Sequence, residues 1–189
     1  VAEKYNIPNF VVEPKKDEEK EEYEKRVHEI LEDHDVSLVT LAGFMRIVSP
    51  YLIQKYKNKI MNIHPSLLPS FKGLNAQKQA LEYGVKISGC TVHYAEEDVD
   101  SGEIIIQKAV PVKEDDTEET LSNRILIFEH RIFSKAVQLH ADDRIELEDG
   151  KTKVDYSGNW EEKWDERQAK FIEHQKEAWE DEIFEEIVE

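Results

Sequence analysis

The sequence predicts an α/β fold of the doubly wound kind, and three observations carry that prediction. Short apolar runs alternate with charged, helix-periodic stretches between residues 6 and 63, in the order strand, helix, strand, helix, strand. The run "VSLVTLAG" (36–43) is apolar almost throughout, as a strand covered on both faces of a parallel sheet is. Two further β-rich runs, 87–94 and 103–112, are joined by the acidic, Gly-containing link "AEEDVDSG" (95–102), which predicts a hairpin with a long loop.

Taken in order, "NIPNFVV" (6–12) predicts a short strand entered through a turn, and 15–34 a helix with Tyr23, Val27, Ile30 and Leu31 on one face. After the 36–43 strand, "SPYLIQKYK" (49–57) predicts a short helix with Ser49 as cap and Pro50 in its first turn. "KIMNI" (59–63) is the next strand. "NAQKQALEYG" (75–84) predicts a helix capped by Asn75 and stopped by Gly84. The hairpin follows, and then a long helix over 117–141, with Asp116 and Glu119 as its capping box. Its expected buried face is Leu121, Ile125, Phe128, Ile132, Ala136 and Leu139. A small hairpin turning at "DG" closes this part (144–154).

Beyond Gly158 the composition changes. The chain to Glu189 is strongly acidic, with Trp160, Trp164, Phe171, Trp179, Ile183 and Ile187 at helical spacing. An amphipathic helix is expected, packing its apolar stripe on the domain or on a partner subunit. The organisation is therefore a domain over 1–156 and a helical extension over 157–189.

The chain of 189 residues has a net charge of −17, which argues against a nucleic-acid surface built on phosphate neutralisation. An acidic polar face also disfavours lipid binding by the terminal helix. The single cysteine, Cys90, permits no intrachain disulfide. No apolar run reaches spanning length, so the cytoplasm is the expected compartment and no membrane partner is expected.

"NIHPSLLPSFKG" (62–73) concentrates the candidate chemistry. Asn62 and His64 are two apart at the carboxyl end of a predicted strand, so they share a side of the sheet, where ligands of open α/β sheets bind. An Asn amide can donate to a carbonyl oxygen as charge develops, and a His can move a proton near neutral pH. The pair suits acyl transfer to an amine, or it simply caps the loop. Pro65 and Pro69 stiffen that loop. Asp98 and Asp100 can reach His64 if the hairpin loop folds back, and a carboxylate there would orient the ring. His93 reads as a structural strand histidine. His64, His93, Asp98 and Asp100 lack the tight spacing of a metal site. In "LAGFMRIV" (41–48), Phe44, Met45 and Ile47 are apolar where a loop is usually polar, which suits either core packing or a wall for a flat ring.

"LAGFMRIVSP", the stretch from "NIHPSLLPSFKG" through "VPV", and "FEHRIF" together resemble the phosphoribosylglycinamide formyltransferase family, over roughly residues 3–155. The "SFKG" ending of the proline loop is similar to this branch, whereas methionyl-tRNA formyltransferases tend to an Arg-rich continuation. The resemblance implies a Rossmann-like formyltransferase fold, with a mostly parallel central sheet and a C-terminal hairpin part. It implies transfer of a formyl group from 10-formyltetrahydrofolate to the amine of glycinamide ribonucleotide, without a metal. The family's catalytic triplet falls on Asn62, His64 and Asp100. Its folate segments fall on Met45, Arg46, Ile47 and Val48 and on Ala95, Glu96, Glu97 and Asp98 before Asp100. Its substrate-ribose contact falls on Glu129.

Against the family pattern, "IFS" replaces the usual "IFP" at Ser134. The family's first two strands and its Gly-Ser-rich phosphate loop have no counterpart here, and neither "SGC" nor "DSG" precedes a helix as a phosphate cradle would. The expectation is thus an enzyme forming part of a longer protein. The alternatives are one subunit of a split formyltransferase whose partner supplies that loop, or a non-catalytic folate-binding or assembly module. A second chain, or self-association through the terminal helix, is the expected macromolecular partner.

Overall fold

A computed structural model describes residues 2–166. Its elements in chain order are α1 (Lys20–Asp33), β1 (Val39–Leu41), α2 (Pro50–Lys55), β2 (Ile60–His64), α3 (Ala76–Tyr83), β3 (Ile87–Tyr94), β4 (Ile104–Pro111), α4 (Glu118–Ala141), β5 (Ile145–Glu148) and β6 (Lys151–Val154). The strands form a sheet in the order β1-β2-β3-β4 and a separate hairpin, β5-β6.

The α/β class and the hairpin part match expectation. The β1–β2 pair is parallel, with Val39 opposite Ile60 and Leu41 opposite Asn62. The β2–β3 and β3–β4 pairs are antiparallel. Among the described strands the parallel part is therefore the β1–β2 pair, because the chain returns through α3 to run β3 back along β2.

The run 6–12 forms no strand. Pro8 lacks the N–H that a ladder needs, no described strand lies beside it, and Ile7, Phe10 and Val11 are exposed. The apolar run 36–43 contributes only three residues to β1, since pairing with β2 ends at Leu41. β1 is an edge of the described sheet, and Val39 and Leu41 are half-buried.

Helix ends show how local chemistry places the elements. Ser49 caps α2 with Pro50 in the first turn, as expected. The buried Glu24 carboxylate on α1 accepts the Ser49 N–H at 3.0 Å and also the Ser49 hydroxyl, tying α1 to the start of α2. That negative charge also complements the helix dipole.

Two expected caps differ. Asn75 adopts the left-handed conformation, and its side chain makes no cap bond to α3. The Gln79 amide ties that turn instead, donating to Lys72 O and Leu74 O. On α4 the capping box is Thr117 with Thr120, not Asp116 with Glu119. Asp116 faces the Arg124 guanidinium at 2.6 and 2.7 Å and accepts from Lys113 N and the Thr120 hydroxyl.

The main core lies between α4 and the β3–β4 hairpin. Leu121, Ile125, Ile132 and Ala136 pack there on Met61, Val92 and Val110, while Phe128 is half-buried. A second core joins Leu52, Ile53 and Tyr56 of the α2 region to Ile60. Trp160 and Trp164 stack at 5.9 Å and pack on Leu139, so the start of the extension covers this domain itself. The Trp160 indole N–H donates to Asp142 at 2.7 Å. Phe171, Trp179, Ile183 and Ile187 lie outside the described residues.

Candidate active site

β2 presents Asn62 and His64 on one side, as alternation along a strand requires. His64 is buried, and its Nε2 lies 2.8 Å from Phe71 O. Its Nδ1 lies 3.3 Å from Asp100 Oδ2. Both partners are acceptors, so both contacts become hydrogen bonds only when the ring carries two protons. The ring is thus held between a main-chain carbonyl and a carboxylate.

Asp100 reaches this point because the β3–β4 loop folds back over the sheet. Its Oδ2 accepts the Gly73 N–H at 2.8 Å, which clasps the hairpin loop to the proline loop. Gly102 permits the close return: a Cβ there would sit 1.9 Å from Tyr94 O. Burial pushes the Asp100 carboxyl up, but the His93 ring, the Gly73 N–H and His64 outweigh it and hold the group below the usual carboxylate range.

The proline loop is secured from beneath. The Thr91 hydroxyl donates to Ser66 O at 2.7 Å and accepts from Leu68 N at 3.1 Å. The Gln107 amide adds bonds to Leu68 O at 3.0 Å and to the Thr91 oxygen at 2.9 Å. Stiffness at the proline loop therefore comes from β3 and β4 as well as from its prolines, and the Leu68–Pro69 peptide is cis.

The other sequence-predicted residues divide into three groups. Val48 is buried, and Ala95 packs on the same apolar cluster. Met45 and Ile47 are well exposed, Glu96 is half-buried, and Glu97 and Asp98 are exposed. The Arg46 guanidinium lies over the Tyr23 ring at 4.7 Å, an aromatic contact invisible in the local sequence. Glu129 lies on α4, where burial pushes its carboxyl up and Cys90 of β3 lies within its electrostatic reach. Among the described residues no group of three His, Cys, Asp or Glu is placed to hold a metal ion. No described helix is long and apolar enough to cross a membrane.

His93 is the residue that sequence reasoning undervalued. It pairs with Asn62 across β2–β3, and its Nε2 lies 3.4 Å from Asn62 Nδ2 and 3.6 Å from Asp100 Oδ1. Four polar side chains from two strands and one loop thus meet: Asn62, His64, His93 and Asp100. The signal for His93 was its strand register, which one sequence does not disclose.

This group, on the described part of an α/β sheet, suits acyl transfer. The comparisons state the class: the family described as "Formyl transferase" matches residues 1–137, and the chain belongs to that family. Within it, the chain is similar to phosphoribosylglycinamide formyltransferases. That of Bacillus subtilis (strain 168) is 47% identical over 137 residues, covering 72% of this chain and 70% of the relative. The human trifunctional purine biosynthetic protein adenosine-3 is 51% identical over 151 residues, or 79% of this chain but only 15% of that protein. Among solved structures, phosphoribosylglycinamide formyltransferase from Anaplasma phagocytophilum superposes with a TM-score of 0.76 at 48% identity, covering 83% of this chain and 75% of that one. The resemblance expected from the motifs is thereby borne out.

Proposed function

We propose that this chain carries the formyl-transfer centre of a phosphoribosylglycinamide formyltransferase. Its donor is 10-formyltetrahydrofolate, and its acceptor is the amine of glycinamide ribonucleotide in purine biosynthesis. The observation carrying the reading is the buried His64–Asp100 contact beside Asn62, in a member of the formyl transferase family.

The amine nitrogen attacks the formyl carbon, a C–N bond forms, and the carbonyl oxygen becomes an oxyanion. Asn62 donates an amide N–H to that oxygen. His64 carries the proton that balances the developing charge, and Asp100 keeps the imidazole oriented. The bond to the folate nitrogen then breaks. The amine has lost one proton, and the folate nitrogen gains one.

The exposed apolar side chains of Met45 and Ile47, with Arg46, Val48 and the loop Ala95–Asp98, form the folate side of this reading. Glu129 is its ribose contact. The domain over 1–156 holds all of these residues, and 157–189 is an accessory extension that supports association with a second chain or copy. The cytoplasm is the compartment that suits such biosynthetic work.

The test supplies both substrates to the protein and compares the wild type with His64→Ala and Asn62→Ala. Both variants are expected to lose most formyl transfer. Unchanged activity in His64→Ala overturns the assignment. Reduced-folate binding without turnover in the wild type favours the binding-module alternative.

A further inference from the structure

His93 is 2% exposed, in the middle of the sheet, and it is not part of the catalytic triplet proposed above. Its Nδ1 lies 2.7 Å from Tyr94 O. A carbonyl oxygen only accepts, so Nδ1 carries a proton. In the neutral ring Nε2 is then a bare lone pair. Two groups face that lone pair: the Asn62 amide nitrogen at 3.4 Å and Asp100 Oδ1 at 3.6 Å. A lone pair gains nothing from a carboxylate oxygen, but it accepts an N–H from Asn62. Protonation of the ring would exchange the partners, because Nε2–H then donates to Asp100.

The consequence falls on Asn62. An amide side chain can present either its oxygen or its nitrogen at nearly equal cost in shape. The Nε2 lone pair removes that ambiguity, since only the NH2 end satisfies it. One N–H is engaged with His93, and among the described residues no hydrogen bond is shown for the other. Asn62 is half-buried, so that free N–H stands at the accessible side of β2.

We propose that His93 is a positioning residue. Fixed as the Nδ1–H form by Tyr94 O, it anchors the Asn62 carboxamide through Nε2 and directs the second amide N–H at the oxygen of the reacting formyl group. The proposal rests on the reading of Asn62 as oxyanion donor. The anchoring itself is measurable without turnover.

The experiment uses two substitutions that split the ring. His93→Asn places an amide near the Nδ1 position, keeping a donor for Tyr94 O and losing the acceptor for Asn62. His93→Gln reaches the Nε2 position and restores an acceptor there. Nitrogen-15 NMR of the full chain, at about pH 8 where an ordinary histidine is neutral, should show His93 as the Nδ1–H tautomer. One Asn62 side-chain N–H should be shifted and protected in the wild type and in His93→Gln, and lose both properties in His93→Asn. In the same proteins kcat should fall about tenfold or more in His93→Asn, less than the loss of a whole oxyanion donor, and recover to within about threefold in His93→Gln. KM should change little, as expected when only the transition state loses an interaction.

An Nε2–H tautomer in the wild type, or an Asn62 amide signal indifferent to both substitutions, overturns the proposal. If the amide signal behaves as expected while Asn62→Ala retains full activity, the anchor stands and the catalytic reading of Asn62 fails. Equal kcat in the Asn and Gln variants, with the amide signal lost only in the former, overturns the kinetic role of His93.

Discussion

Asp100 Oδ2 stands 3.3 Å from His64 Nδ1, and both side chains are more than nine-tenths buried. The contact joins the end of β2 to the β3–β4 loop, and it fixes the orientation of the His64 ring. Asp100→Asn keeps the size and removes the charge. It is expected to lower kcat by about 100-fold, within the range for a general acid–base group, while binding of reduced folate is retained. Steady-state kinetics beside a folate titration checks this; a loss below about threefold in kcat would show that the carboxylate is not needed.

Thr91 serves the site from below. Thr91→Val preserves shape and leaves Ser66 O and Leu68 N without their partner. The expected destabilisation is about 2 kcal/mol, from buried backbone groups left unsatisfied. Urea unfolding should show a lower midpoint at unchanged slope. An unchanged midpoint would mean that water or another group replaces the hydroxyl.

Acid stability should depend on Asp116. The Arg124 guanidinium, aided by Lys113 N and the Thr120 hydroxyl, holds its carboxyl far below the usual range despite opposing burial. A depressed folded value means that the ionised group contributes stability fully above the unfolded pKa, about 3.9. That contribution is lost as pH falls through the lower folded value. Asp116→Asn should therefore lower stability at neutral pH by about 1.5–3 kcal/mol, the range for hydrogen bonds to charged groups. Its deficit relative to wild type should shrink towards pH 2. A deficit constant from pH 7 to pH 2 would contradict the role of its charge.

Glu129 has the opposite sign. Burial raises its carboxyl pKa, so the folded protein binds the proton more tightly than the unfolded chain. Stability from this group is full below the unfolded pKa and is lost as pH rises through the folded value. Glu129→Gln should raise stability at neutral pH by about 0.5–2 kcal/mol, as surface and charge optimisation commonly does. It should also raise KM for glycinamide ribonucleotide if the ribose contact is correct. Thermal unfolding and kinetics on one sample separate the two effects.

The elements with strong local signals were legible in the sequence. The spacing of Leu121, Ile125, Ile132 and Ala136 placed the buried face of α4, and the acidic Gly-containing link placed the β3–β4 loop. The strand expected at 6–12 was not realised, because apolar composition cannot supply a neighbour to pair with. Asn75 and Asp116 have the composition of caps, but positive φ at Asn75 and the Arg124 guanidinium near Asp116 redirect them. Within the site, Asn62 and His64 were legible from alternation along one strand. Asp100 was singled out from Asp98 by resemblance, since the fold-back of a loop depends on contacts such as Gly73 N–H that no local pattern encodes. His93 was legible only through register, which is a property of two strands.

The backbone at Asp100 has φ +50°, and Asp and Asn are the side-chain-bearing residues that visit this region most readily. Two filters therefore act on this one position: a chemical demand for a carboxylate and a conformational demand for a short Asx-type side chain. Only aspartate passes both. Glutamate keeps the charge yet meets backbone strain and carries an extra methylene, whereas asparagine keeps the turn and forfeits the charge. In the space of neighbouring sequences, the substitution that looks conservative by charge is the one the main chain resists, and the loop allows no gradual path away from its acid.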